Sequence, residues 1–343
     1  MLPICGRMEI KMEDIITLDY GSGGKKTARL IDNMIVPALD NPALRELGDG
    51  AILPGGERLV FSTDSFVVDP IFFPGGDIGK LAVCGTVNDI SMCGGEAKYL
   101  SCAFIIEEGL PLETLRRVID SMANTAKAAG VSIVTGDTKV VERGRGDKIY
   151  INTAGIGVLK HPGLTPGAIR EGDAVIVSGT VGDHGTAVML ARSGMAEADI
   201  VSDCAPLKAL ADKLLSSCSG VRVLRDPTRG GLAGTLNEFV EGSALGIELD
   251  EAAVPVNGAV SAACAMLGLD PLYCANEGKL VAVVAPEEKE AALAALRSLP
   301  EGANAQVIGS VTTQHPGQVV ARSLLGGGRI IQKLTGAQLP RIC

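Results

Sequence analysis

Val131-Ser132-Ile133-Val134-Thr135-Gly136-Asp137-Thr138-Lys139 is the stretch that decides the fold class. Its first four residues are a short apolar run of the kind that fills a buried strand, and the polar cluster around Gly136 reads as that strand's end. Outward from it, Leu112 to Ala129 reads as a helix, Tyr99 to Ile106 as a strand, Ile78 to about Met92 as a second helix and Lys148 to Leu159 as a further strand. Shorter strands are expected at Ala51 to Leu53 and Leu59 to Ser62. Strands that alternate with helices in this way predict an α/β (α+β) domain.

The second half has similar content without a clear internal repeat. Leu164-Thr165-Pro166-Gly167 is a loop suited to a domain boundary. Beyond it, Ala174 to Ser178 and Leu280 to Ala285 read as strands, and Thr186 to Ser193, Leu207 to Ser216, Gly231 to Glu241 and Glu287 to Leu299 as helices. Val307 to Val311 is expected to end the packed part, with one more strand at Gln318 to Arg322 before a three-glycine hinge, Leu325-Gly326-Gly327-Gly328-Arg329. The expected organisation is an arm at 1–45, a domain at 46–162, a second domain at 163–315, and a strand with a flexible tail at 316–343.

Composition narrows the function. A chain of 343 residues with 46% hydrophobic content can fill two cores. With 3% aromatics and no Trp, those cores are built from aliphatic residues, and stacking platforms for nucleic acid are not expected. A net charge of −9 argues against broad polyanion binding, while leaving room for one phosphate site neutralised by a metal. The nine cysteines are spread along the chain with no Cys-x-x-Cys, so they read as reduced, mostly as small core residues, Cys84, Cys93 and Cys102 included. There is no signal-peptide pattern and no apolar run of membrane-spanning length, which predicts a cytoplasmic protein with no membrane partner.

Several motifs carry possible chemistry. Gly21-Ser22-Gly23-Gly24-Lys25-Lys26-Thr27, leading into a helix from Ala28 to about Leu39, fails as a P-loop because Lys26 stands where Ser or Thr is required. It remains either a loop covering phosphates or a helix-capping loop. Asp49, Asp64, Asp89 and Asp226 fall at expected strand ends or tight turns; each alone suits a turn or cap, and together they suit a shared Mg²⁺. The sequence closes on Leu339-Pro340-Arg341-Ile342-Cys343. Pro340 fixes φ, Arg341 suits anionic groups, Ile342 suits an apolar slot, and the Cys343 thiol has little chain to shield it. A substrate arm and a frayed end are both open readings of these residues alone.

Asn88-Asp89-Ile90-Ser91-Met92-Cys93-Gly94-Gly95, Gly136-Asp137-Thr138-Lys139, Gly182-Asp183-His184-Gly185, Asp226-Pro227-Thr228-Arg229-Gly230-Gly231, Asn276-Glu277-Gly278 and Pro340-Arg341-Ile342-Cys343, in this order, closely resemble the HypE family of hydrogenase maturation proteins. The resemblance runs over nearly the whole chain. It implies the PurM-like two-domain fold of aminoimidazole ribonucleotide synthetase, selenophosphate synthetase and thiamine monophosphate kinase, with ATP bound by the first domain and dimerisation through its strands. The Asp-based motifs suit that whole superfamily, whereas the cysteine-ended tail is particular to the HypE family.

The resemblance further implies an ATP-dependent dehydration on the protein's own tail. A HypF-like carbamoyltransferase would place a carboxamide on Cys343. This chain would convert it to S-cyanide, destined through a HypC–HypD-like iron assembly complex for nickel-iron hydrogenases. Phosphorylating the amide oxygen turns a poor leaving group into phosphate, so placement matters more than nucleophilic power. Asp49, Asp64, Asp89 and Asp226 become Mg²⁺ candidates. Asn88, Asp89, Asp137, Thr138, Lys139 and Arg229 become nucleotide candidates, with Lys139 suited to the β- and γ-phosphates. Glu277 is the candidate base for the carboxamide proton, or else a cap or salt-bridge partner. His184, at an expected helix start, is a catalytic candidate suited to an anion, or else a capping or core residue, and Arg229 suits a phosphate or its own loop. A selenophosphate synthetase-like activity is disfavoured because Gly21-Ser22-Gly23-Gly24 lacks a reactive cysteine. A non-catalytic scaffold with a tail thiol is the reading from another class.

Overall fold

Alternation along Leu59–Phe66 places Ser62, Asp64 and Phe66 on one face of a strand and Leu59, Phe61, Thr63 and Ser65 on the other, and that division organises the first half of the molecule. The structure is a computed structural model that describes residues 15–21, 25–45, 55–195, 199–323, 327–334 and 341–343. Asp49, the strand expected at 51–53, residues 22–24 of the glycine loop and Pro340 lie outside the described residues. Among the described residues no helix is long and apolar enough to cross a membrane.

Strand β1 (Leu59–Phe66) pairs antiparallel with β4 (Ile149–Leu159), which pairs antiparallel with β2 (Gly95–Glu107); β2 runs parallel to β3 (Ser132–Val141). The sheet order is therefore β1-β4-β2-β3. Parallel strands need a crossover, supplied by α2 (Leu112–Ala129), whose buried Leu115, Val118, Ile119 and Met122 form its core stripe. Helix α1 (Ile78–Met92) is apolar nearly all round and buried on the sheet's inner face, where Thr86 Oγ1 lies 2.6 Å from Thr153 Oγ1 of β4. The outer face keeps Phe61 67%, Leu59 51% and Ile105 45% exposed.

The second half is a seven-stranded sheet of β5 (Ala174–Val177), β6 (Val221–Arg225), β7 (Gly246–Asp250), β8 (Val281–Val284), β9 (Gln306–Thr312), β10 (Val319–Arg322) and β11 (Gly328–Ile331). Their order is β11-β10-β7-β9-β5-β8-β6, antiparallel except for β10 beside β7. Separate apolar clusters cover its two faces, one around α5 (Gly231–Val240) and one around α4 (Lys208–Ser217) and α7 (Lys289–Arg297). Helices α3 (Asp183–Arg192) and α6 (Gly258–Leu267) pack beside them. The first-domain core also admits Cys204, Ala275 and Ile342, so segments from the second half reach into it.

Four expectations change. Strand β3 continues through Gly136 to Val141, because β2 pairs along it to Glu107. The packed part extends beyond Val311, and Gly328–Arg329, expected in a hinge, begins β11 by pairing with Ala321 and Arg322. Asp89 is neither at a strand end nor in a turn but in the last turns of α1. Cys93, expected in the core, is exposed, whereas Cys84 and Cys102 are buried.

Candidate functional site

Three carboxylates meet where the inner face of β1, the end of α1 and the chain leaving β6 converge. Asp64 takes the Ser65 N–H at 2.9 Å, and Asp89 accepts from Ser62 Oγ at 2.6 Å. Asp226, the residue after β6, is buried. Burial pushes the Asp64 and Asp89 carboxyls above the usual carboxylate range, against the pull of those hydrogen bonds. Asp226 rises to about 7, through burial first and then the neighbouring charge of Asp89. Arg225 and Arg229 lower Asp89, Arg229 lowers Asp64 and Arg225 lowers Asp226, so the two arginines are the local countercharges.

Glu277 lies 2% exposed beside this group, and its Oε1 has no hydrogen-bond partner among the described residues. Burial raises its pKa well above the ordinary value, with Cys204, Asp226, Asp203 and Asp64 adding to the effect. Its backbone is firmly held. Asp203 Oδ1 accepts the Glu277 N–H at 3.1 Å and Oδ2 the Gly278 N–H at 3.2 Å, with Lys279 Nζ 3.4 Å from the same carboxylate. A Cβ at position 278 would fall 1.8 Å from the Asp203 carbonyl oxygen, so only glycine fits after Glu277. Asn276 ties this loop to its surroundings, accepting from Gly182 N at 2.8 Å and donating to Pro227 O at 3.0 Å. Asn88 donates to Ala205 O and Glu277 O and accepts from Leu207 N, so its amide joins α1 to the second half.

The last three residues are seated on their own chain. Val67 N–H donates to the main-chain oxygen of Cys343 at 3.0 Å, and Asp69 N–H to that of Arg341 at 3.3 Å. Arg192 Nη2 donates to the same Arg341 oxygen at 2.7 Å. Arg341 donates through Nε to Val67 O at 3.0 Å and through Nη1 to Asp147 Oδ2 at 2.6 Å. Ile342 is 4% exposed in the first-domain core. This brings the Cys343 thiol within electrostatic reach of Glu277, Arg229 and Asp64, and burial followed by Glu277 pushes it up to about 12.

His184 belongs to this seat. Gly182, with φ 87°, caps α3 and turns the chain so that the imidazole points inward. Its Nδ1 lies 2.8 Å from Ser202 Oγ and its Nε2 3.0 Å from the Ile342 carbonyl oxygen. A carbonyl can only accept, which puts the proton on Nε2 and leaves Nδ1 to accept from the serine. Burial lowers its pKa, so the ring is neutral, and both nitrogens are engaged.

Asp137, Thr138 and Lys139 are not brought to this group within one chain. Asp64 lies level with Gly136 across the sheet, but β1 and β3 are separated by two strands, about 14 Å at the usual spacing. Asp137 and Lys139 point from the opposite, outer face and pair with each other at 2.9 Å, both exposed. Among the described residues no three His, Cys, Asp or Glu side chains form a ready-made metal cage. The sequence reading missed Asp203, Ser202, Asp147 and Arg192. None sits in a recognisable motif, and each matters through a partner that folding alone brings near.

The AIR synthase related protein N-terminal domain matches residues 47–159, and the corresponding C-terminal domain residues 170–322. The carbamoyl dehydratase HypE of Cupriavidus necator is 51% identical over 332 residues, 96% of this chain and 95% of that protein. A crystal structure of hydrogenase maturation protein HypE in complex with ATP superposes with a TM-score of 0.92 at 51% identity, covering 95% of this chain and 99% of that one. A HypE–HypF complex matches with a TM-score of 0.78 at 46% identity, over 89% of this chain and 99% of the other.

Proposed function

Because the chain belongs to the HypE family of carbamoyl dehydratases, within the AIR synthase related proteins, we propose that it dehydrates an S-carboxamide on Cys343 to S-cyanide at the expense of ATP, in hydrogenase maturation. One observation carries the reading: Cys343 is seated beside Glu277, a buried carboxyl with an unpartnered oxygen. That oxygen suits a carboxamide N–H, which an unmodified thiol does not offer.

The balance of the reaction fits these groups. The amide oxygen attacks the γ-phosphorus of ATP and releases ADP, and the first of the two nitrogen protons departs to solvent, leaving a phosphorylated imidate on sulfur. Loss of the remaining nitrogen proton then expels phosphate and closes the C≡N bond. Glu277 takes the nitrogen proton, Arg229 steadies the anionic oxygens, and His184 holds the segment in place and takes no part in the chemistry. The carboxylates suit a divalent ion. Asp226, buried among Asp89 and Asp64 with its pKa raised to about 7, has in Arg225 an opposing charge too weak to offset its burial, and Mg²⁺ takes one or two carboxylates together with phosphates and water. Asp64, Asp89 and Asp226, with Asp49, would hold Mg²⁺, which screens the transferring phosphoryl group. Removing the charges of Asp226 and Asp64 also weakens what keeps Glu277 protonated.

The exposed apolar outer face, Leu59, Phe61 and Ile105, supports a homodimer that covers it. Asp137, Thr138 and Lys139 belong to the nucleotide site only through such pairing, since within one chain Asp137 and Lys139 face away. A HypF-like carbamoyltransferase is the upstream partner, in keeping with the relative solved as a HypE–HypF complex. A HypC–HypD-like complex is the acceptor downstream, and the unpaired cysteines fit a cytoplasmic site of action. The test is mass spectrometry of the peptide containing Cys343 after incubation with a HypF-type enzyme, carbamoyl phosphate and Mg·ATP. One carboxamide on Cys343, losing water only with hydrolysable ATP, is the expected result. No modification in the presence of an active carbamoyltransferase would overturn the reading.

A further inference from the structure

Among the described residues, every directional contact that seats residues 341–343 goes to main-chain atoms or to the Arg341 guanidinium. Val67, Asp69, Arg192 and His184 take the three main-chain oxygens in turn, Asp147 takes the guanidinium, and Ile342 fills an apolar slot. None of these bonds uses the Cys343 sulfur. Recognition is thus complete within three residues, in the manner of an extended peptide added along an accepting segment with one pocketed side chain. We propose that this seat is a peptide-binding site for Arg-Ile-Cys sequences, accepting them in trans through contacts that do not involve the sulfur.

The consequence for chemistry rests on the dehydratase reading above. A peptide bearing S-carboxamide, bound in trans, would present its amide to ATP where the chain's own Cys343 does, losing one water as one ATP becomes ADP and phosphate. The main-chain and Ile342 contacts of the seat are the same for thiol, carboxamide and cyanide forms. Discrimination among them is left to Glu277, and release of product to whatever competes for the segment.

The test uses the full-length chain with Ile342→Asp, whose own segment is expelled because the slot would bury a carboxylate. A fluorescent peptide reproducing residues 339–343 is titrated by anisotropy into this variant and into the unsubstituted chain. Binding to the variant is expected to be about 100-fold tighter, since an attached competitor acts at millimolar effective concentration. Free-thiol and S-methyl peptides should bind within about threefold of each other, as main-chain recognition requires, and the S-carboxamide peptide about tenfold tighter through its added hydrogen bond to Glu277. A peptide with Asp in place of Ile should not bind, and adding His184→Ala to the variant should weaken binding by about tenfold, the loss of one buried hydrogen bond. A chain ending at residue 338 repeats the titration should the substituted segment stay seated. No peptide binding to either chain, with ATP binding retained, overturns the proposal, as does a more than tenfold difference between the free-thiol and S-methyl peptides. Binding without dehydration of the S-carboxamide peptide supports the site and counts against the dehydratase reading. Dehydration of the chain's own Cys343 carboxamide with no binding in trans does the reverse.

Discussion

Replacing Asp226 with asparagine should make the protein more stable and less active, and the size of the gain follows from burial. The carboxyl is fully enclosed, with its pKa raised from 3.8 to about 7 by burial and by Asp89 and Asp64. In the unfolded chain it loses its proton near the ordinary value, whereas in the fold it holds the proton until about 7. The stability it contributes is therefore complete at low pH and is lost as pH rises from about 4 through 7. A shift of roughly three units at about 1.4 kcal/mol each sets the loss at about 4 kcal/mol above pH 7. The amide of the Asp226→Asn variant has no proton to lose and offers an N–H donor among like-charged neighbours. Urea and thermal midpoints of the two proteins should coincide near pH 4 and separate by pH 8, with the variant melting about 5–8 °C higher. Millimolar Mg²⁺ should narrow the gap, because the wild type gains a cation at a ligand that the variant has lost. Equal midpoints at pH 8, or a gap that does not change with pH, would refute the idea that Asp226 is ionised at a cost.

Glu277→Gln keeps the shape and removes the proton acceptor, so dehydration should slow by about 10²–10⁴-fold with no loss of stability, measured by single-turnover mass spectrometry of Cys343 alongside a melt. His184→Ala breaks the bonds to Ser202 and Ile342, so Cys343 should be alkylated about tenfold faster, and His184→Gln should restore part of the protection. Asp203→Ala leaves the Lys279 ammonium and two N–H groups without their acceptor and should lower stability by about 3–5 kcal/mol, read from urea midpoints. Phe61→Glu on the exposed outer face should shift sedimentation at micromolar concentration from dimer to monomer; a wild type that is already monomeric would remove the homodimer from the proposal.

Elements defined by their own sequence were legible. Ile78–Met92 and Leu112–Ala129 match their expected bounds, since a long apolar or amphipathic run fixes a helix without help from distant residues. The helix Gly258–Leu267 was nevertheless missed, and the strands that were missed depend on pairing. Gly246–Asp250 is too short to announce itself, and it is a strand because β9 and β10 flank it. Gly328–Arg329 looks like a hinge until β10 supplies the ladder that orders it. The same holds for Gly136, where glycine in a polar cluster suggests a stop, yet the strand continues because its neighbour β2 is longer.

The site divides along a similar line. Residue type and motif pointed to Asp64, Asp89, Asp226, Glu277 and Cys343, because few structural roles call for so many carboxylates near glycine turns, and folding gathers these five. Position along a motif is a poorer guide to direction. Asp137 and Lys139 share a motif with Thr138, yet strand alternation sends them to the outer face, away from the group that residue type suggested they join. His184 read either as an anion site at a helix start or as a capping or core residue, and the fold buries it between Ser202 and the Ile342 carbonyl, nearer the second reading. Asp203 left no trace at all, although it holds the backbone of the very residue proposed to move the proton. A positioning group can sit anywhere in the sequence, because what it must match is a pair of N–H groups in space, here 74 and 75 positions further along the chain. The orphan oxygen of Glu277 makes the same point from the other side. Most carboxylates this deeply buried are neutralised by a partner that the fold provides, and this one is left open at the place where Cys343 is seated, so its missing partner is to be sought on the modified sulfur.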